Sequence, residues 1–373
     1  MSRRTSPPFR ADHVGSLLRP PRLLQARDDF AAGRITAADL RAVEDEEIAG
    51  AITMQEDLGL QSATDGEFRR ASWHMDFIYA LGGVSKAPGN MAVKFTNPSG
   101  TIEWTPAALH VGGRIGLDRT IFGDDFTFVK DHVTTAVPKL TIPSPNMVHY
   151  RGGPAMLDPA VYPDMEGFWA DLAAAYAEEV RRLAGLGCGY LQFDDTSLAY
   201  LNDPAQRAEI AGRGEDAEHL HLRYISQINA AVKDRPAAMA VTTHLCRGNF
   251  RSSWVASGGY DFVAEALFSE LAVDGFFLEY DDERSGGFEP LRFVPAGKMV
   301  VLGLVTTKRP ELESPDDLKR RVDQAARYVD GDQLCLSGQC GFSSTVEGNA
   351  LTPAEQLAKL RLIVDVARDI WGD

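Results

Sequence analysis

The sequence predicts an α/β fold: a (β/α)8 TIM barrel with an insertion containing a β-hairpin after strand 2. Three observations predict it. Short apolar, β-branched runs alternate with amphipathic helical stretches along the chain. The strand-like runs number eight, and none is followed by the glycine-rich turn of a dinucleotide-binding sheet.

The strand-like runs fall at Asp12–Ser16, Gln61–Gly66, Val137–Ile142, Tyr190–Asp195, Ala238–Cys246, Gly275–Asp281, Met299–Thr306 and Gln333–Cys340. Between them, Ala38–Leu60, Phe168–Gly187, Asp216–Asp234, Ser314–Val329 and Thr352–Gly372 carry apolar residues at i, i+3, i+4 and i+7, the amphipathic helix pattern. The starts "SPDD" and "TPAE" put Ser314 and Thr352 at N-cap, Pro at N1 and an acid in the first turn. One segment falls outside the alternation, about residues 79–134. Its "MAVKFTNPSGTIEW" has two alternating runs around "NPSG", the pattern of a hairpin. With no repeat or linker, residues 1–373 are expected to form one domain.

Composition narrows the function. The formal net charge of −15 over 373 residues argues against nucleic acid and anionic membranes as partners, since both require a basic face. No run approaches the roughly 20 apolar residues that span a bilayer, and "MSRRTSPPFRADHVGS" shows no apolar stretch of a signal peptide. Four cysteines in so long a chain suit a reducing compartment, so a cytoplasmic location is expected. The oligomeric state is not legible.

Barrels of this kind build their sites at the C-terminal ends of the strands, where this chain gathers ionisable groups. The first two strands end in "DHVGS" and "DGEFRR", the fourth in "QFDDTS" and the fifth in "HLCRGN". The last three end in "FFLEYDDE", "VTTKRP" and "LCLSGQCGFSS". On a strand, residues two apart share a face, so His244 and Cys246 project together. With Glu279 and Cys340 they offer nitrogen, sulfur and oxygen ligands, a set that suits Zn2+ better than Mg2+. Each piece alone has a bland reading: a buried Cys is often a small hydrophobe, and Glu279 or "DGEF" could be a strand-end acid or a turn. Together at one barrel face they make a candidate centre, with Cys188 and Cys335 assigned to the core.

These motifs, in this order from "HVGSLLRP" to "LRLIVDVARDIWG", resemble the catalytic half of the cobalamin-independent methionine synthases and their shorter single-barrel relatives. The resemblance implies a zinc-dependent methyltransferase that moves a methyl group from 5-methyltetrahydrofolate, as polyglutamate, or another donor to homocysteine. It places the zinc ligands on His244, Cys246, Glu279 and Cys340, and the amino group of homocysteine on Glu67 and Asp194. The substrate carboxylate falls at Val14-Gly15-Ser16. Two departures matter. "GLVTTKRP" puts Lys308 where the family has a catalytic His, and "GGPAMLDPAVYP" lacks the Trp that stacks on the pterin, leaving Tyr162 or Trp104 as substitutes. Two related readings stand beside this one. The first is a zinc-dependent alkyltransferase to another thiol, as in epoxyalkane–coenzyme M transferases; the second is a non-zinc enzyme like the uroporphyrinogen decarboxylases.

Overall fold

A computed structural model describes residues 4–88, 93–97, 100–104 and 108–372. Seven strands form one parallel sheet: β1 (Ser62–Ala63), β6 (Val137–Pro143), β7 (Tyr190–Asp195), β8 (Ala240–Leu245), β9 (Gly275–Glu279), β10 (Met299–Val305) and β11 (Leu334–Gly338). Their spatial order is their chain order. Between β1 and β6 lie β2 (Gly82–Ala87), β3 (Val93–Asn97), β4 (Gly100–Trp104) and β5 (Ala108–Gly116). β2 pairs antiparallel with β5, and β3 with β4. Asn97 faces Gly100 at the "NPSG" turn, so the expected insertion hairpin is present.

The strand expected at Asp12–Ser16 shrinks to a single parallel bridge, Ala11 to Leu336, which occupies the eighth place beside β11. Asp12 N–H donates to the Leu336 carbonyl at 3.0 Å, and Leu336 N–H to that of Arg10 at 2.8 Å. Beyond it, side chains take over the ladder. Thr64 Oγ1 donates to the Gly15 carbonyl, and Gly15 adopts φ +142°, where a Cβ would lie 2.7 Å from the Thr141 methyl. β1 is short for a similar reason. The fully buried Gln55 amide accepts from Thr64 N–H and donates to the Thr64 carbonyl, 3.0 Å each, satisfying backbone groups that a strand partner would otherwise take.

The helices expected from periodicity form over Ala37–Asp57, Met165–Gly185, Leu220–Val232, Pro315–Ala325 and Pro353–Trp371. Ser314 and Thr352 cap two of them as expected, Thr352 with Glu355 in a reciprocal capping box. β7 to β11 are buried at almost every position, as parallel strands covered on both faces must be. Leu191, Phe193, Val241, Leu245, Phe276 and Leu278 pack in the main core. The alternate residues of these strands belong to the barrel interior. There Val14, Phe277, Met299, Val301 and Cys335 form a small apolar cluster, so Cys335 is a core residue, as is Cys188.

Beside that cluster sits a buried charge pair. Lys139 Nζ lies 3.2 Å from Asp12 Oδ1, both side chains fully buried, and it also donates to the His13 carbonyl. The second oxygen of Asp12 accepts from Tyr190 at 2.8 Å, and Ser62 Oγ donates to the first. A buried pair satisfied this fully joins three strands at the closure. Losing one partner of such a pair costs about 3–5 kcal/mol. Lys139→Met is therefore expected to lower unfolding free energy by about that amount in urea titration, and Asp12→Asn added to it is expected to restore part of the loss.

Candidate metal centre

The period of two along the strands carries the site. Thr242, His244 and Cys246 follow one another on the inner face of β8 and its extension, Gln192 and Asp194 on β7, Phe277 and Glu279 on β9. Cys340 lies just past β11. One ligand atom from each of His244, Cys246, Glu279 and Cys340 lies within 4.8 Å of all the others, and all four residues are buried. The two sulfurs stand 3.5 Å apart.

The donor set fits a metal ion. Both carboxylate oxygens of Glu279 are buried and lack a hydrogen-bond partner among the described residues. An ionised carboxylate in such a place is costly unless a cation faces it. His244 Nδ1 meets Asp194 Oδ1 at 3.2 Å, and Nε2 meets the Gln339 carbonyl at 3.1 Å. Whichever nitrogen coordinates, the other keeps a carboxylate or carbonyl partner, the usual orientation of a ligating imidazole. Burial opposes charge on His244, but Asp194, with Cys340 and Glu279, outweighs it and lifts the imidazole to about 9. The Cys246 thiol is pushed up by its contact with Cys340 and by burial; the same contact, with His244 nearby, pulls Cys340 down.

Each residue of "HLCRGN" beyond the two ligands and Leu245 braces this arrangement. Arg247, buried, donates to the Glu279 carbonyl at 2.8 Å and to Tyr260 Oη at 3.1 Å; Tyr260 in turn accepts from Glu279 N–H. Gly248 has φ +93°, and a Cβ there would lie 2.7 Å from Tyr200 Oη. Asn249 donates to the Gly341 carbonyl, tying the Cys246 loop to the Cys340 loop.

A cleft opens over the group and brings Val14, Ser16, Glu67 and Asp194 to its wall. Glu67 sits in a left-handed backbone conformation, φ +60°, held by Asp65 Oδ1, which accepts from its N–H. Its Oε1 accepts from Thr141 at 2.9 Å and lies 3.6 Å from Arg70, while Oε2 is unpartnered. Burial raises the Glu67 carboxyl to about 7, with Arg70 opposing and Asp194 adding to the rise.

One expected position is corrected. Tyr162 is buried away from the cleft. Its hydroxyl donates to Asp171 and accepts from Ile115 N–H, and its ring packs edge-on to Phe168, so it is a core residue with no free face. Lys308 stands beside the four donors, within the electrostatic reach of Glu279, Cys340 and Cys246. Its Nζ is buried 3.9 Å from Asp281, without a hydrogen bond, and feels Asp281 and Glu279 as its counter-charges. Trp104 ends β4, and its side chain lies outside the described residues. The sequence did not single out Trp73, His74, Phe95, Arg151 or Tyr200, which complete the cleft wall. Phe95 arrives from the insertion hairpin, which docks on the loop after β8 through paired backbone bonds between Thr96 and Trp254.

Buried nitrogen, sulfur and carboxylate donors at the C-terminal mouth of a parallel barrel define a candidate metal centre beneath a small-molecule cleft. The family described as the catalytic domain of cobalamin-independent synthase matches residues 145–369. The uncharacterized protein YxjH of Bacillus subtilis is 46% identical over 365 residues, 98% of this chain and 95% of that one. Methionine synthase of Pyrococcus abyssi is 24% identical, over 88% of this chain and 85% of its own. The putative vitamin-B12 independent methionine synthase from Listeria monocytogenes superposes with a TM-score of 0.78 at 38% identity, covering 99% of this chain and all of that one. The B12-independent methionine synthase from Shewanella sp. W3-18-1, solved with selenomethionine, shares the fold with a TM-score of 0.73 at 19% identity and 97% coverage of both chains. The chain belongs to the cobalamin-independent synthase catalytic-domain family.

The Glu67 shift has a consequence for stability. Its carboxyl ionises at about 7 when folded and at about 4.5 when unfolded. The folded state therefore holds this proton more tightly, and the stability it lends is complete below about pH 4.5 and is lost as pH rises to about 7. Glu67→Gln does not titrate there. Relative to wild type, its unfolding free energy in urea should improve by up to about 3 kcal/mol between pH 4.5 and pH 8. A difference independent of pH would show Glu67 ionised throughout.

Proposed function

We propose that this protein is a zinc-dependent S-methyltransferase in a single barrel domain, with homocysteine as thiol acceptor. His244, Cys246, Glu279 and Cys340 would hold the zinc. When bound, the ion supplies a Lewis acid that keeps a substrate thiol deprotonated near neutral pH. The observation that carries the reading is the buried Glu279 carboxylate, unpartnered among two thiols and an imidazole.

The chain's own residues define the acceptor. Glu67 Oε2 is unpartnered at the cleft wall, and Asp194 stands beside it with one oxygen between Gln192 and His244. Two carboxylates so placed receive an ammonium, which homocysteine has and a sulfonate thiol lacks. The Val14–Ser16 turn, opened by the left-handed Gly15, receives the carboxylate. Arg247 and Tyr260 fix Glu279 from behind, and Lys308 with Asp281 balances charge beside it, a role distinct from donating a proton to substrate. The methyl donor is 5-methyltetrahydrofolate, as polyglutamate, or another methyl carrier. The absence of a membrane-long apolar helix among the described residues and the acidic charge fit small-molecule partners in the cytoplasm.

The test is methyl transfer by the zinc-loaded chain to L-homocysteine and to 2-mercaptoethanesulfonate. Transfer to homocysteine is expected, with Glu67→Gln raising its KM about tenfold or more, the loss of one charge-assisted hydrogen bond. Transfer to the sulfonate alone, indifferent to Glu67→Gln, would select the coenzyme M reading. Cys340→Ser is expected to lose at least about 100-fold in zinc affinity while keeping its far-ultraviolet circular dichroism, because the ligand sits beyond the strand. Retention of zinc by that variant would contradict the ligand assignment.

A further inference from the structure

Glu67 reaches the cleft from a tight turn, and that turn is built around a buried arginine. Arg19 donates to the carbonyls of Glu67 and Arg70 at 3.0 and 2.8 Å, which pins both ends of the turn. Arg70 is buried, and its fork grips Thr141 of β6. Nη1 donates to Thr141 Oγ1 at 3.1 Å and Nη2 to the Thr141 carbonyl at 2.8 Å. Thr141 Oγ1 in turn donates to Glu67 Oε1, and Arg70 Nη1 lies 3.6 Å from that same oxygen. The guanidinium also lies over the Phe122 ring, 4.2 Å from its centre. Phe122 is itself fixed, since the Ile121 N–H before it donates to the buried Glu179 at 3.0 Å.

The charges around Glu67 are of both signs. Arg70 and Asp65 come from its own turn, Arg19 from the loop before the first helix and Asp194 from β7, while β6 contributes the neutral Thr141. Arg151, His74 and His244 line the same cleft. Two buried carboxylates side by side disfavour each other's charge, so Glu67 and Asp194 need a cation to stay ionised together. Among the described residues Arg70 alone forms an ion pair with the Glu67 carboxylate, and it feels Asp194 as a counter-charge as well. Oε1 of Glu67 is thereby taken, and Oε2 is left without a partner at the cleft wall.

We propose that Arg70 is a positioning residue for the acceptor: it occupies one side of the Glu67 carboxyl, keeps that carboxyl charged beside Asp194, and so leaves Oε2 for the substrate ammonium. This rests on the acceptor reading above and adds to it a residue outside the cleft lining, which never touches the substrate. Without the guanidinium, burial and Asp194 both drive Glu67 to its neutral form, which offers an ammonium one charge fewer. Glu67 ionises as pH rises, so affinity for an ammonium rises with it. Removing the charge of Arg70 moves that rise to higher pH.

The test uses the zinc-loaded full chain and L-methionine, a probe with the amino acid end of the acceptor and no thiol to titrate. Its affinity is measured by titration calorimetry between about pH 5 and pH 8.5. In the wild type, affinity is expected to rise through about pH 7, where Glu67 ionises. Arg70→Gln, which keeps a donor for Thr141 and drops the charge, should move the rise upward by about one pH unit or more, roughly tenfold weaker binding near pH 7. Arg70→Lys keeps the charge and loses the fork, so it should weaken binding at every pH and leave the rise in place. In Glu67→Gln the rise should vanish, and Arg70→Gln added to it should cost less than about threefold further. A rise at the same pH in wild type and Arg70→Gln would overturn the proposal, as would a shift in Arg70→Lys of about one unit or more. So would an equal loss from Arg70→Gln with and without Glu67, since Arg70 would then serve the fold alone. Absence of methionine binding to the wild type at every pH would refute the acceptor reading and the proposal with it, whereas a rise that is present but unmoved refutes only the proposal.

Discussion

Everything at this site depends on the alternation of side chains along parallel strands. A strand buried on both faces sends every second residue into the barrel, and the inward residues nearest its C-terminal end reach the mouth. β8 uses this twice, with His244 and Cys246 two positions apart, and β7 and β9 supply Asp194 and Glu279 at the same level. A one-residue slip in any of these strands would turn its contribution outward. The outward residues, Leu191, Phe193, Val241, Leu245, Phe276 and Leu278, resist that slip because they are packed in the core.

Gathering this many ionisable groups in a low-dielectric interior requires compensation, and the molecule provides it locally. Asp12 faces Lys139 near the closure. Glu67 faces Arg70, whose guanidinium also lies 4.2 Å from the Phe122 ring. Lys308 and Asp281 stand behind Glu279. What is left without a hydrogen-bond partner among the described residues is informative for that reason: the Glu279 carboxylate and one oxygen of Glu67. In the proposed reading these receive the metal and the ammonium of the acceptor.

Much of this was legible in the sequence, for identifiable reasons. The six longer strands and their helices carry strong periodicity and caps, and the ionisable groups collected at their C-terminal ends, weak singly, point together to one site. The first two strands were over-read because side chains replace their ladder: Thr64 Oγ1 holds the Gly15 carbonyl, and Gln55 binds the Thr64 backbone. Nothing in a local pattern announces that exchange. Tyr162 was misplaced because its environment is set by Asp171 and Ile115, tertiary partners far from its motif. Lys308 falls at the expected strand end, 3.9 Å from Asp281 and close enough to act on Glu279 and Cys340. Arg151 and His74 stand in turns without periodicity, and only the fold brings them to the cleft wall.

The central claim is that the four donors bind a zinc ion that takes a substrate thiol as a further ligand. X-ray absorption at the zinc edge, with and without L-homocysteine, tests it most directly. The account predicts one zinc per chain with two sulfur ligands, rising to three when homocysteine is added. A sulfur count fixed at two in the presence of homocysteine, or a chain that retains no zinc, would contradict it.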